Sequence, residues 1–176
     1  NPTEDKFREL VDPDHFFASH AYKNWPDALF KEHSVDEVQA AFHEALESES
    51  LKPLRQLHHI QDSKATELLR AAEPDTFAIL NTKSRPGMKA LGYRVRESPV
   101  SDEQYKAFSE NVAEAYERVD LRAIVRDYAD QPIHPDATPI EIADYTFHLH
   151  EEGEIDLTQL LPDDPLSDLR NLVATE

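Results

Sequence analysis

The chain is expected to be mainly α, a multi-helix bundle with a small β element or extended loop near residues 76–96. Three observations carry that expectation. Ser34, Ser101 and Thr138 each stand three positions before Glu37, Gln104 and Glu141 at the head of an apolar run. In this capping box the hydroxyl and the longer side chain satisfy orphan amides at a helix start. Behind each box the apolar residues recur at three- and four-residue spacing instead of alternating, which is helical periodicity. Only two short runs, TFAIL at 76–80 and YRVR at 93–96, have the β-branched and aromatic content of strands.

Taken in order, an opening helix is expected over about 5–11, followed by aromatics at Phe16, Phe17, Tyr22, Trp25 and Phe30 between turn residues. These read as short helices whose rings pack onto the bundle, since aromatics in such a pattern belong to a core more often than to a ligand box. After Ser34, the spacing of Val38, Phe42, Ala45 and Leu46 predicts a helix over 35–47. Ser50 with Pro53 in the first turn, then Leu54 and Leu57, predicts a second. Asp62 or Ser63 opens a third, carrying Leu68, Leu69 and Ala72 until Pro74 ends it. The clearest helix starts at Ser101 and runs to about Val119 on the stripe Tyr105, Phe108, Val112, Ala115 and Tyr116. Asp120 recaps the chain for Leu121, Ile124, Val125 and Tyr128. Thr138 and Pro139 start a further helix that Gly153 stops, and Asp164-Pro165 starts a last short one through Leu166, Leu169 and Leu172.

At 176 residues the chain suits a single helical domain, 1–176. The alternative division is two lobes, 1–73 and 101–176, joined by a basic segment at 76–100. No internal repeat or low-complexity linker forces a boundary. The numbering opens on Asn1 rather than Met, so a fragment of a larger protein, with a partner domain elsewhere, is among the expectations.

The charge is lopsided: 36 Asp and Glu against 18 Lys and Arg, net -18, with an apolar fraction of 39% that still supports a core. Acids spread over nearly every segment favour general solvation, including adaptation to a salty cytoplasm, over a surface imitating nucleic acid. With no cysteine, disulfides, thiolate metal sites and thiol nucleophiles are excluded. No apolar run approaches the roughly 20 residues that span a bilayer, and Asn1-Pro2-Thr3-Glu4-Asp5 is unlike a signal peptide, so a cytoplasmic location and no membrane partner are expected.

Against that background, residues 81–96 stand out. The run NTKSRPGMKALGYRVR holds Lys83, Arg85, Lys89, Arg94 and Arg96 and no acid, leaving 13 Lys and Arg for the rest of the chain against all 36 acids. It also holds Gly87 and Gly92, two of the three glycines, and the single methionine, Met88. Ser84 is placed to cap a short helix through Met88 and Leu91 that ends at Gly92. A helix start beside Lys83 and Arg85 suits an anion or a nucleic-acid phosphate, with Tyr93 available to stack. The candidate nucleic-acid or anion-binding residues are therefore Lys83, Ser84, Arg85, Lys89, Tyr93, Arg94 and Arg96. The competing reading is internal, with the cations bracing a loop against the domain's own carboxylates.

The run FAILNTKSRPGMKALGY, followed by SDEQYKAFSENVAEAYERV, resembles a stretch in the non-ATPase helical region of McrB-like restriction proteins and related defence ATPases. The matching residues are Asn81, Ser84, Arg85, Leu91, Gly92 and Tyr93, with Tyr105 and Phe108 behind them. The resemblance covers about 77–119, roughly a quarter of the chain. It implies a non-catalytic recognition or adaptor module of a prokaryotic DNA-defence system, contacting DNA or a protein partner such as an NTPase or nuclease subunit. The chain has no Gly-rich phosphate loop ending in Lys and Ser or Thr, so the motor would lie elsewhere. The alternative is an acidic, antirestriction-like inhibitor of a basic nucleic-acid-binding partner.

Other chemistry has little purchase. Asp75 with Asn81 and Lys83 is a poor match to a nuclease core, because Asn stands where a second acid belongs. His58-His59 and His148-Leu149-His150 lack the i, i+4 spacing of a zinc helix. There is no GxSxG and no dinucleotide fingerprint. No catalytic residue, metal or cofactor is therefore assigned, and a small hydrolase with a His and carboxylate metal site stands well behind the other readings.

Overall fold

The computed structural model describes Asp5, residues 25–128 and residues 133–160. Over these the chain is mainly helical: α1 (Trp25–Glu32), α2 (Val35–Ser48), α3 (Lys52–Arg55), α4 (Asp62–Ala72), α5 (Ser84–Ala90), α6 (Asp102–Arg118), α7 (Leu121–Tyr128), α8 (Pro139–Glu151) and a 3-10 turn at Leu157–Gln159. The helices expected near 5–11 and after Asp164, and the rings of Phe16, Phe17 and Tyr22, lie outside the described residues. All three capping boxes form, with Ser34, Ser101 and Thr138 each accepting from the amide of the Glu or Gln three residues on. Asp120 accepts from the Ala123 amide at 3.1 Å and so starts α7. Gly153, at φ +78°, turns the chain out of α8.

Helix α8 is the hub, packing against α5, α6 and α7, while α2, α3 and α4 form a second group of mutual contacts. One continuous apolar cluster joins them. It runs from Trp25 and Leu29 through Leu54, Leu68 and Leu69 to Met88, Leu91, Val112, Phe147 and Leu157. Lys64 lies 4.7 Å from the Trp25 ring centroid, so the buried indole gains a cation on one face.

The β element expected near 76–96 is absent from the described residues, and the side chains of neighbouring helices explain why. The Ala78 amide donates to Ser109 Oγ at 3.2 Å, the Leu80 amide donates to Thr66 Oγ1 at 3.0 Å, and the Tyr105 hydroxyl donates to the Ala78 carbonyl at 2.9 Å. Phe77, Ala78, Ile79 and Leu80 are all buried, threaded between α4 and α6. Helix side chains thus supply the hydrogen bonds that a strand would otherwise have to supply, and the apolar run that resembles a strand becomes a buried connector.

A buried ion pair ties the α2–α4 group to the start of α6. Arg55 Nε donates to Asp62 Oδ1 at 2.7 Å, a second guanidinium nitrogen donates to the Val100 carbonyl at 2.8 Å, and Asp62 Oδ2 accepts from the Val100 amide at 3.1 Å. The Asp62 side chain is 5% exposed and that of Arg55 22%. Removing one partner of a fully buried pair costs about 3–5 kcal/mol. Because water reaches Arg55, Arg55→Ala is expected to cost less, about 2 kcal/mol, read as a lower urea midpoint. An unchanged midpoint would show that water replaces the guanidinium at no cost.

Candidate functional site

The seven residues singled out in the basic run separate into two groups. Asn81 shapes the first turn: its side-chain carbonyl accepts from the amides of Lys83 (2.8 Å) and Ser84 (2.9 Å). Ser84 itself is buried, and its Oγ accepts from the Asn81 amide at 3.0 Å. The helix start is therefore capped by Asn81 rather than by Ser84, and the amides that an anion would have used are already bonded within the chain.

Three of the cations are engaged with the domain itself. Lys83 is hydrogen-bonded to His148 Nδ1 and lies 3.7 Å from a Glu151 oxygen, which couples α5 to the end of α8. Arg85 donates to Ser98 Oγ and pairs with Glu97 at 3.9 Å, and Lys89 reaches the same carboxylate at 3.3 Å. Tyr93 is half-buried beneath Arg118, whose guanidinium carbon is 4.6 Å from the ring centroid. Burial pushes its hydroxyl above the usual phenol range, with Arg118 pulling the other way and Glu114 adding to the rise. That face of the ring is already covered by a cation.

Arg94 and Arg96 differ. Both are exposed, and neither side chain makes an ion pair or hydrogen bond with the described chain. They stand on the rim of a groove of about 170 Å³ between residues 94–96 and α6. Its floor is apolar, from Leu80, Val95, Val100, Ala107 and Phe108, and its far side carries Gln104 and Asn111. Positions 104, 107, 108 and 111 form one face of α6, so both carboxamides lie on the helix face that lines the groove. The Gln104 carbonyl is committed to the cap, accepting from the Ser101 amide at 3.0 Å. Its NH₂ group takes no part in that bond. Sequence reasoning recognised Gln104 only as a capping residue and passed over Asn111, because the groove exists only once residues 94–96 lie along α6.

A second feature, also missed, is Asp144 on α8. Its side chain is 6% exposed and lies 3.4 Å from Arg70 Nε. Burial dominates and pushes the carboxyl up to about 8, with Arg70 and the Ile79 amide opposing and Glu67 and Glu141 adding to the rise. The cleft it shares with Ile79, Asn81, Lys83, Ser84 and His148 measures about 10 Å³. That is room for about one water molecule and too small for a substrate. His148 Nε2 lies 3.0 Å from Glu152, and His150 Nδ1 lies 3.4 Å from the Leu157 amide, so both histidines brace the end of α8. Among the described residues no three His, Asp or Glu side chains are grouped to hold a metal ion, and no helix is long and apolar enough to cross a membrane.

Comparison of the chain with protein-family models, with curated proteins and with solved structures gives no match, so the site is defined by its own geometry.

Proposed function

We propose that this chain is a non-catalytic helical adaptor that holds a partner protein by an acidic segment laid along Arg94 and Arg96. The observation that carries this reading is the division of the cations. Lys83, Arg85 and Lys89 are bonded to neighbours in the fold, and the two arginines without partners among the described residues share one groove. Glu97, the acid nearest in sequence, is held by Arg85 and Lys89, so its charge is offset before a partner arrives.

The same division weakens a nucleic-acid reading. Affinity for a polyanion grows with the number of phosphates neutralised, and two arginines neutralise about two. They would have to hold DNA against a chain of net charge -18. A short acidic peptide demands no more than two such contacts. The wider setting, a DNA-defence system in which the partner is an NTPase or nuclease subunit, rests on the resemblance of residues 77–119 alone.

The test is fluorescence polarisation with three labelled probes: a peptide alternating glutamate with valine, a random-sequence duplex and a random-sequence single strand. The peptide is expected to bind saturably and the two DNA probes not to. Arg94→Glu with Arg96→Glu should weaken the peptide by about tenfold or more, as expected for reversing two rim charges, while Lys31→Gln, which removes an exposed cation on α1 that does not line the groove, should leave it unchanged. Saturable DNA binding without peptide binding, or indifference to the double reversal, would refute the reading.

A further inference from the structure

We propose that the acidic segment docks by strand addition, pairing its backbone with residues 94–96; this inference rests on the docking reading above. The argument starts from main-chain bookkeeping. Around the site, the amides of Ala78, Leu80, Asn81, Tyr93 and Val100 all donate to neighbours in the fold. The amides and carbonyls of Arg94, Val95 and Arg96 make no hydrogen bond at all to the described chain. Exposure alternates along this stretch: Tyr93 and Val95 are half-buried, Arg94 and Arg96 exposed. That is the period of two of an extended chain, and aromatic and β-branched residues at the half-buried positions suit it. A run with the composition and alternating exposure of a strand, its backbone groups unpaired among the described residues, is a template for an incoming strand.

Side-chain geometry selects the occupant. Residues directly opposite one another on paired strands share a face, so acids two positions apart on the incoming strand meet Arg94 and Arg96. The residue between them falls on the side of Val95. The groove's apolar floor, Ala107 and Phe108, then accepts a β-branched or other apolar side chain, with Asn111 and the Gln104 NH₂ group at its edge. A second copy of this chain fits poorly, because an antiparallel pairing of 94–96 with itself sets arginine against arginine, and like charges directly opposite destabilise a strand pair.

The experiment compares the glutamate–valine peptide with two analogues of identical charge, N-methylated at alternate residues in one phase or the other, and follows amide hydrogen exchange in the full chain by NMR. Only one edge of the peptide faces residues 94–96, so methylation in one phase should weaken binding by tenfold or more while the other phase has little effect. Amides within 94–96 should slow their exchange when the parent peptide is added. If both analogues bind like the parent while Arg94→Glu with Arg96→Glu still abolishes binding, acidic docking stands and strand addition is wrong. If no peptide binds, the docking reading itself fails and this inference with it. Slowed exchange in 94–96 that grows with protein concentration in the absence of peptide would make the occupant a second copy and overturn the proposal.

Discussion

Gly87→Ala is expected to destabilise the fold by roughly 3 kcal/mol or more, at the upper end of overpacking effects. In an exposed helix the same change would stabilise by about 1 kcal/mol, because glycine is the poorer helix former. The sign reverses at Gly87 because of what faces it. A Cβ built there would lie 2.3 Å from Phe147 Cδ1 and 2.8 Å from its Cγ. Phe147 is fully buried on α8, which also packs against α6 and α7, so the ring has no free space to enter. Gly87 has an ordinary helical backbone, so close approach of α5 to α8 is the whole reason for glycine. Two further variants isolate that cause. Gly153→Ala, at φ +78° with nothing within 4 Å, should cost only about 1 kcal/mol from backbone strain. Phe147→Leu should recover part of the loss when combined with Gly87→Ala. Chemical denaturation of the four proteins decides the matter, and equal midpoints for Gly87→Ala and the parent would falsify the close packing of α5 on α8.

The second large effect concerns Asp144 and pH. Burial pushes its carboxyl up to about 8 in the folded protein, far above the usual carboxylate range. A carboxyl whose folded value is raised binds its proton more tightly when folded. Its contribution to stability is therefore complete below the unfolded value and is lost as pH rises toward the folded one. The slope approaches 1.4 kcal/mol per pH unit for one proton. Between about pH 4 and pH 8 this group therefore works against the fold progressively, and above that range its contribution is level. Asp144→Asn keeps the shape and removes the titration. The variant should match the parent in acid and exceed it in stability on the alkaline side, while Arg70 keeps Glu141 at 3.6 Å as a partner. Denaturant midpoints at several pH values read this directly. Parallel pH profiles for the two proteins would mean that Arg70 holds Asp144 ionised throughout.

Much of the helical organisation was legible from local chemistry. Ser34, Ser101 and Thr138 predict their helix starts because a capping box involves only residues three apart, and Asp120 and Gly153 act over similarly short distances. The run 76–80 misled for the complementary reason. Its apolar composition fits either a strand or a buried connector, and the choice was made by Thr66, Ser109 and Tyr105, which lie 14 to 31 residues away from the backbone groups they satisfy. Ser84 likewise had the right chemistry for a cap, but Asn81 took the position, and the serine turned inward to the Asn81 amide.

The charge contrast between residues 81–96 and the rest of the chain is a property of the sequence alone, and so is the capped-helix framework that carries it. Which of the five cations remain available is not. Lys83 meets His148 and Glu151 across 65 residues or more, and Arg94 and Arg96 acquire a groove only because the chain passes along Gln104, Ala107, Phe108 and Asn111. Local sequence sets where helices begin and which faces are apolar, since those depend on neighbours within one or two turns. The pairing of a charge depends on which distant carboxylate packing brings within reach, and that was decided by the docking of α5 on α8 through Gly87.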